Sequence, residues 1–171
     1  TELAPTPWNN NTLLLHVGIN AQDIATKEIP PSNLVFLVDV SGSMHAENKL
    51  PLLKSSLKLL TQQMSENDRI SLVVYAGASG VVLEPTAGND QNAIAIALDQ
   101  LRAGGSTNGG AGIQLAYSMA EKAFIKEGIN RVILATDGDF NVGTTNFEAL
   151  KQLVERKRKT GIALTTLGFG N

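Results

Sequence analysis

The fold of this chain is indicated most directly by residues 33–44, which read Asn-Leu-Val-Phe-Leu-Val-Asp-Val-Ser-Gly-Ser-Met. The five residues before Asp39 are apolar, as expected of a strand that is buried on both faces of a sheet. A carboxylate at Asp39 and hydroxyls at Ser41 and Ser43 follow at once. A buried strand with this ending places oxygen donors at the carboxyl edge of a sheet, where open α/β sheets bind their ligands.

The composition is that of one soluble globular domain, with 171 residues, 43% hydrophobic and 18% charged. A net charge of −2 argues against a nucleic-acid partner. The absence of cysteine excludes disulfides, thiolate metal sites and cysteine catalysis. No apolar run reaches membrane-spanning length, so we expect no contact with a membrane. We also expect a monomer. The chain begins at Thr1 and ends just after a strand-like run, which favours a soluble fragment of a longer protein.

Apolar periodicity predicts strands that alternate with amphipathic helices. Further strands are expected at 69–76, 131–135 and 162–169, and a short antiparallel strand at 81–83 follows a tight turn. Helices are expected at 49–64, at 89–102 with Asn89 as the N-cap, after the glycine-rich loop 104–110, and from a capping box at 145–148. This alternation predicts a three-layer, doubly wound α/β fold, with a mostly parallel sheet and one antiparallel edge strand.

The N-terminal residues 1–32 are interpreted as an extension that carries one strand, and residues 33–171 as the main domain. Residues 1–11 contain two prolines and three consecutive asparagines, which favours irregular structure. Thr12 to Ile19 alternates loosely between polar and apolar residues and predicts a strand with one buried face. Trp8 is expected to pack on the main domain and to pin the extension.

Right-handed crossovers bring the strand ends and the glycine-rich loop to one edge of the sheet. The donors expected there are all hard oxygen ligands, namely Asp39, Ser41, Ser43, Thr107 and Asp137. Such ligands suit Mg²⁺ or Mn²⁺, with Ca²⁺ also compatible. Two carboxylates would balance the charge of a divalent cation, and neutral hydroxyls would leave it strongly electrophilic. One coordination position is expected to stay open, and a carboxylate from a partner fits it.

This constellation resembles the metal-ion-dependent adhesion site of von Willebrand factor type A domains. The resemblance covers residues 33–171 and rests on Asp39-Val40-Ser41-Gly42-Ser43, on Thr107 in the second loop and on Asp137 after the third strand. It implies that these five donors form the metal set, that a protein presenting Asp or Glu binds there, and that no catalysis occurs. In detail the chain looks like uncharacterised bacterial members, which implies an extracytoplasmic parent protein, periplasmic or at the cell surface.

The family fold normally continues with a C-terminal helix, and often with a sixth core strand. Here the chain ends after 162–169, so the resemblance implies a domain that lacks this helix. Either the domain is trimmed at its C-terminus, or the strand Thr12 to Ile19 covers a sheet edge that relatives cover in another way.

Three other readings of the site stay open. Asp39 and Asp137 each also suit a strand-end turn without a ligand. A metal could serve only to staple the loops together. A phosphatase-like enzyme with Asp39 as the nucleophile is chemically sensible. However, residue 41 is a serine where that chemistry needs a second carboxylate, and the chain has neither a Gly-x-Ser-x-Gly elbow nor a Walker A loop.

Overall fold

The computed structural model describes residues 1–18, 29–105, 109–138 and 147–170. Its main sheet has five strands, which are β3 (Ser32–Asp39), β4 (Arg69–Tyr75), β5 (Ser79–Ala87), β6 (Ile129–Thr136) and β7 (Ile162–Gly168). The strand order is β5-β4-β3-β6-β7. All neighbouring pairs are parallel except β4 and β5. The predicted mostly parallel sheet with one antiparallel edge strand is therefore confirmed.

In the described part of the chain, four α-helices cover the two faces of this sheet. They are α1 (Leu50–Thr61), α2 (Gln91–Gln100), α3 (Gly109–Lys122) and α4 (Phe147–Lys159). Buried side chains of α1 and α2 pack on one face, and those of α3 together with partly buried side chains of α4 pack on the other. Within the described ranges, no helix is long and apolar enough to cross a membrane. The three-layer arrangement agrees with the predicted fold class.

The central strand β3 contributes to both hydrophobic cores, as its unbroken apolar run predicts. Phe36 and Val38 face α1 and α2, whereas Val35 and Leu37 face α3. All four side chains are almost fully buried. Because β3 is flanked by parallel strands on both sides, its carboxyl end lies at the centre of the sheet edge. Asp39 is the last residue of this strand.

The apolar stripe of α1 is shorter than its sequence predicts. The periodicity suggests that Leu60 and Met64 continue the buried row formed by Leu50, Leu53 and Leu57. The helix instead ends at Thr61, Leu60 is largely exposed, and Met64 lies beyond the helix and is partly buried. Thr61 takes the last buried position, so the chain leaves α1 before the stripe is complete.

The N-terminal extension forms a hairpin, which corrects two expectations. Strand β1 (Glu2–Thr6) pairs antiparallel with β2 (Asn9–His16), so the first eleven residues are not irregular and two strands are present. The hydroxyl of Thr6 donates to the carbonyl oxygen of Asn9 at 2.7 Å and closes the turn. Ile19, the last residue of the predicted strand, lies outside the described ranges.

The hairpin also differs from the prediction in its burial. Every residue of β2 is exposed, so this strand has no buried face. The two strands form a separate sheet and do not cover an edge of the five-stranded one. The indole of Trp8 is 76% exposed and does not pin the extension to the main domain. Alternating apolar residues predicted a strand here, but alternation alone does not supply a surface for that strand to cover.

Candidate metal-binding site

The candidate site lies where β3 and β6 end side by side. Val38 pairs with Ala135, so the next residues along the two strands, Asp39 and Thr136, are neighbours at the carboxyl edge. On the other side, Asp39 pairs with Tyr75 at the end of β4. This edge is where the sequence predicted that the separate motifs would meet.

The carboxylate of Asp39 has no exposed surface and is surrounded by hydrogen-bond donors. Oδ1 accepts a bond from the backbone N–H of Ser41 at 2.8 Å. Oδ2 accepts bonds from the hydroxyl of Tyr75 at 3.2 Å and from that of Thr136 at 3.3 Å. These contacts compensate part of the cost of burying a charge, and they fix the orientation of the carboxylate.

Ser41 and Ser43 lie next to this carboxylate. Ser43 belongs to a 3-10 turn, Gly42–His45, and Ser41 is the residue directly before it. Their hydroxyl oxygens are 3.0 Å apart. Ser41 is 2% exposed, whereas Ser43 faces solvent. The Asp-x-Ser-x-Ser spacing therefore brings the two predicted hydroxyl donors together, with one side of the pair open to an incoming ligand.

Asp137 joins the site through a lysine that the sequence analysis missed. The ammonium of Lys49 donates to Oδ2 of Asp137 at 2.8 Å and to the carbonyl oxygen of Ser43 at 3.1 Å. The Asp137 side chain is only 5% exposed. The sequence contains a signal for this contact. A lysine directly before a helix is unfavourable next to the positive end of the helix dipole, and a nearby carboxylate compensates for it.

The glycine-rich loop is anchored beside the serines through its first residues. The N–H of Gly104 donates to the carbonyl of Val40 at 2.8 Å, and the N–H of Gly42 donates to the carbonyl of Gly105 at 3.2 Å. Gly105 has a φ of 86°, a conformation that favours glycine. Thr107, the predicted donor of this loop, lies outside the described residues, so its place in the donor set stays a prediction.

Tyr75 is a second residue of the site that the sequence analysis missed. Burial raises the pKa of its phenol, and the nearby carboxylates of Asp39 and Asp137 raise it further. The hydroxyl therefore keeps its proton and serves as a donor to Asp39. Helix α3 approaches closely here, since a Cβ added at Gly112 would lie 2.9 Å from the Cβ of Tyr75. A polar group at the end of an otherwise apolar strand is the signal that could have revealed this role.

Four of the five predicted donors are thus described, and they form two linked sets. Asp39, Ser41 and Ser43 are joined by the contacts above, and Lys49 connects Ser43 with Asp137. Across the described part of the chain, no three side chains of His, Cys, Asp or Glu converge on one point. Carboxylates alone would therefore supply few ligands here, and the hydroxyl donors are essential to any metal site.

Comparison with known proteins identifies the family. The family model for the von Willebrand factor type A domain matches residues 34–140, which include the strand β3, the serine turn and the end of β6. The chain belongs to this family. The protein YfbK of Escherichia coli K12 is 52% identical to this von Willebrand factor type A domain over 170 residues. The alignment covers 99% of the chain but only 30% of that protein, so the chain spans about a third of the relative's length.

Solved structures of other proteins share the fold at low sequence identity. A domain from Catenulispora acidiphila gives a TM-score of 0.67 at 20% identity, over 81% of this chain and 33% of that one. The manganese-loaded TRAP protein of Plasmodium vivax gives 0.63 at 20% identity, over 83% of this chain and 58% of that one. At these identities the comparison supports the fold of the domain alone, because proteins that share a fold can differ in their sites.

Proposed function

We propose that this von Willebrand factor type A domain is a protein-binding module that depends on a divalent metal. The metal would be Mg²⁺, with Mn²⁺ or Ca²⁺ as alternatives, and an Asp or Glu side chain of a partner would complete its shell. The residues proposed to hold it are Asp39, Ser41, Ser43, Thr107 and Asp137. The observation that carries the proposal is the buried, oriented carboxylate of Asp39 beside a pair of serine hydroxyls at the central strand end.

The donor chemistry of the described residues fits a hard divalent cation. Carboxylate and hydroxyl oxygens are the ligands that Mg²⁺ and Mn²⁺ prefer. One of these carboxylates already attracts a positive group, because the ammonium of Lys49 lies between Asp137 and the backbone carbonyl of Ser43. A structural relative, TRAP, was solved with manganese, which supports a divalent metal at this fold. When bound, the metal would supply an electrophilic centre for a carboxylate.

The chain's own residues would orient the metal ligands and leave one side of the site open to a partner. Tyr75 and Thr136 hold one oxygen of Asp39, and the N–H of Ser41 holds the other, so this carboxylate is fixed before a metal arrives. Ser43 is exposed and marks the side from which a partner's acid would approach. Two carboxylates would balance the charge of a divalent cation, and the ammonium of Lys49 beside Asp137 would leave the site with a net positive charge that attracts a further anionic ligand.

A binding role is favoured over an enzymatic one. An aspartate nucleophile needs a carboxylate oxygen that a substrate can reach. Both oxygens of Asp39 accept hydrogen bonds, and the side chain is fully buried. This arrangement suits a fixed ligand better than an attacking group. We accordingly propose that the domain has no catalytic function. We also propose that it binds neither nucleic acid nor membrane, that it is monomeric, and that the parent protein acts outside the cytoplasm.

Calorimetric titration with Mg²⁺, Mn²⁺ and Ca²⁺ tests the metal site. We expect binding by the wild type, and a loss of affinity of about tenfold or more in Asp39→Asn, because ligand charge sets affinity at such sites. Ser43→Ala should also weaken binding, and its exposed position makes misfolding a minor concern. Glu84→Gln, which removes an exposed carboxylate on β5, serves as the control. A folded wild type that binds none of the three ions would contradict the proposal.

The same titration with excess acetate distinguishes an open site from a structural staple. An open site predicts that Mg²⁺ binds more tightly when a carboxylate is supplied, because the added acid completes the shell. A staple predicts an affinity that acetate does not change, together with a large metal-dependent rise in thermal stability. Hydrolysis of a generic phosphoester that is lost in Asp39→Asn would instead support the enzymatic alternative.

A further inference from the structure

A groove of about 390 Å³ lies beside the proposed metal site, between the first turns of α1 and the end of α2. Met44 and Leu50 line its floor, where both side chains are almost fully buried in the core. Lys54, Lys58, Asp99 and Arg102 supply its charges. Nothing in the proposed metal chemistry uses this groove.

The groove is continuous with the metal site through both of its walls. On one side, Met44 belongs to the same 3-10 turn as Ser43, and its N–H donates to the carbonyl of Ser41 at 3.1 Å. On the other side, the wall continues from Ala103 into Gly104, which is bonded to the backbone of Val40 at 2.8 Å. A chain that reaches the metal with one side chain can therefore continue into the groove.

The charges in the groove are mostly positive, although the whole chain carries a net charge of −2. Lys58 pairs with Asp99 at 2.7 Å. Lys54 and Arg102 both donate to the backbone carbonyls of Asp99 and Leu101 at the end of α2. The lining thus carries three cationic side chains against two carboxylates, those of Asp99 and Glu47.

The lysine at the centre of this cluster shows the effect of crowding. Burial lowers the pKa of the Lys54 ammonium, and the nearby charge of Arg102 lowers it further. The carboxylate of Asp99 acts in the opposite direction without cancelling these effects. An additional anion would relieve the repulsion among the three cations, so the groove is electrostatically complementary to an acidic ligand.

We propose that this groove binds an acidic segment of the partner protein, in extended conformation. The inference rests on the proposed function, because the segment's first carboxylate would be the one that completes the metal shell. A second carboxylate would lie against Lys54, Lys58 and Arg102. From Leu50 to Lys58, α1 rises about 12 Å, which an extended chain covers in about four residues. Because the proposed metal lies beyond the N-terminal end of α1, next to Lys49, the two acidic residues are at least about four positions apart.

Binding of labelled synthetic peptides in the presence of Mg²⁺ tests this inference. The peptides carry two glutamates at varied separations within a background of serine, glycine and leucine. We expect the affinity to depend on the separation and to be greatest at about four residues or more. Asp99→Asn should tighten that binding about two- to fivefold, and Lys58→Gln should weaken it by a similar factor, as for a partly exposed charge. A variant with tighter binding cannot be explained by misfolding.

A second exposed ion pair provides matched controls. Lys122 and Glu84 are 2.7 Å apart, as are Lys58 and Asp99, and both are more than half exposed, but neither residue lines the groove. Lys122→Gln and Glu84→Gln should therefore leave peptide affinity unchanged. Equal effects of both pairs would indicate general electrostatic attraction and would overturn the groove as the binding surface.

The outcomes separate this inference from the proposed function. Peptide binding that needs Mg²⁺ and Asp39, but ignores Asp99→Asn and glutamate spacing, would overturn the groove and leave metal-dependent binding intact. Binding of Mg²⁺ without binding of any peptide would also overturn it. Peptide binding that follows the groove substitutions, in a protein that binds no divalent ion, would instead contradict the proposed metal dependence and retain the groove.

Discussion

At the scale of single residues, the most demanding feature is the carboxylate of Asp39. A charged group without exposed surface costs several kcal/mol unless it is well hydrogen-bonded. Ser41, Tyr75 and Thr136 supply the bonds. The two tyrosines of the chain are a useful contrast, because both are almost fully buried and only Tyr75 reaches Asp39. Tyr117 belongs to α3 and packs in the hydrophobic core on that side of the sheet. Burial raises the pKa of its phenol to about 12.

Tyr75→Phe is expected to lower the free energy of unfolding by about 1.5–3 kcal/mol, since it removes a hydrogen bond to a charged group. Tyr117→Phe is the matched control. Among the described residues, its hydroxyl has no hydrogen-bond partner, so its removal should be neutral or slightly stabilising. Urea denaturation followed by circular dichroism measures both. Equal losses in the two variants would mean that the bond to Asp39 contributes little.

At the scale of elements, helix ends were predicted less well than helix positions. The sequence predicted that α2 is capped by Asn89, but the N-cap is Asp90, whose carboxylate accepts a bond from the N–H of Ala93 at 3.1 Å. Both residue types are good caps, and periodicity does not distinguish adjacent positions. The end of α4 carries a clearer signal, because Gly161 has a φ of 94° just past the last turn, a conformation typical of a glycine that terminates a helix.

Asp90→Ala should destabilise the domain by about 1 kcal/mol, because it leaves an N–H at the start of α2 without its side-chain acceptor. Asn89→Ala tests the cap predicted from sequence and should have little effect. Thermal unfolding of the two variants beside the wild type makes the comparison. A larger loss in Asn89→Ala would show that the helix begins one residue earlier.

At the scale of the whole molecule, the N-terminal hairpin and the five-stranded sheet are separate sheets. Apart from Thr6, every residue of β1 and β2 is exposed, including Leu3, Leu13 and Leu15. A two-stranded hairpin by itself is at best marginally stable. We therefore expect the hairpin to contribute little to the stability of the main domain.

Trp8 provides a direct measurement of this independence, because it is the only tryptophan in the chain and is 76% exposed. Its fluorescence should have the emission maximum of a solvated indole in the native protein. Quenching by acrylamide should change little when urea unfolds the sheet, whereas circular dichroism reports a full transition. A native emission shifted to shorter wavelength would show that the hairpin packs against another surface.

Much of the fold and part of the site could be predicted from sequence for a local reason. Apolar runs and helical periodicity report burial directly, so each main strand and helix is visible within a short window. The rule that parallel strands end at one edge then placed Asp39 and Asp137 together. The close pairing of Ser41 and Ser43 also follows from local spacing, because the two residues are two positions apart at the start of one 3-10 turn.

Contacts between residues far apart in the chain were decided only by the tertiary structure. The bond from Tyr75 to Asp39 spans 36 positions, and that from Lys49 to Asp137 spans 88. Each depends on strand register and on helix packing, which no local pattern specifies. The same holds for the N-terminal hairpin. Alternation in the sequence determined that a strand forms there, whereas the exposure of that strand depends on whether another surface of the folded molecule lies within its reach.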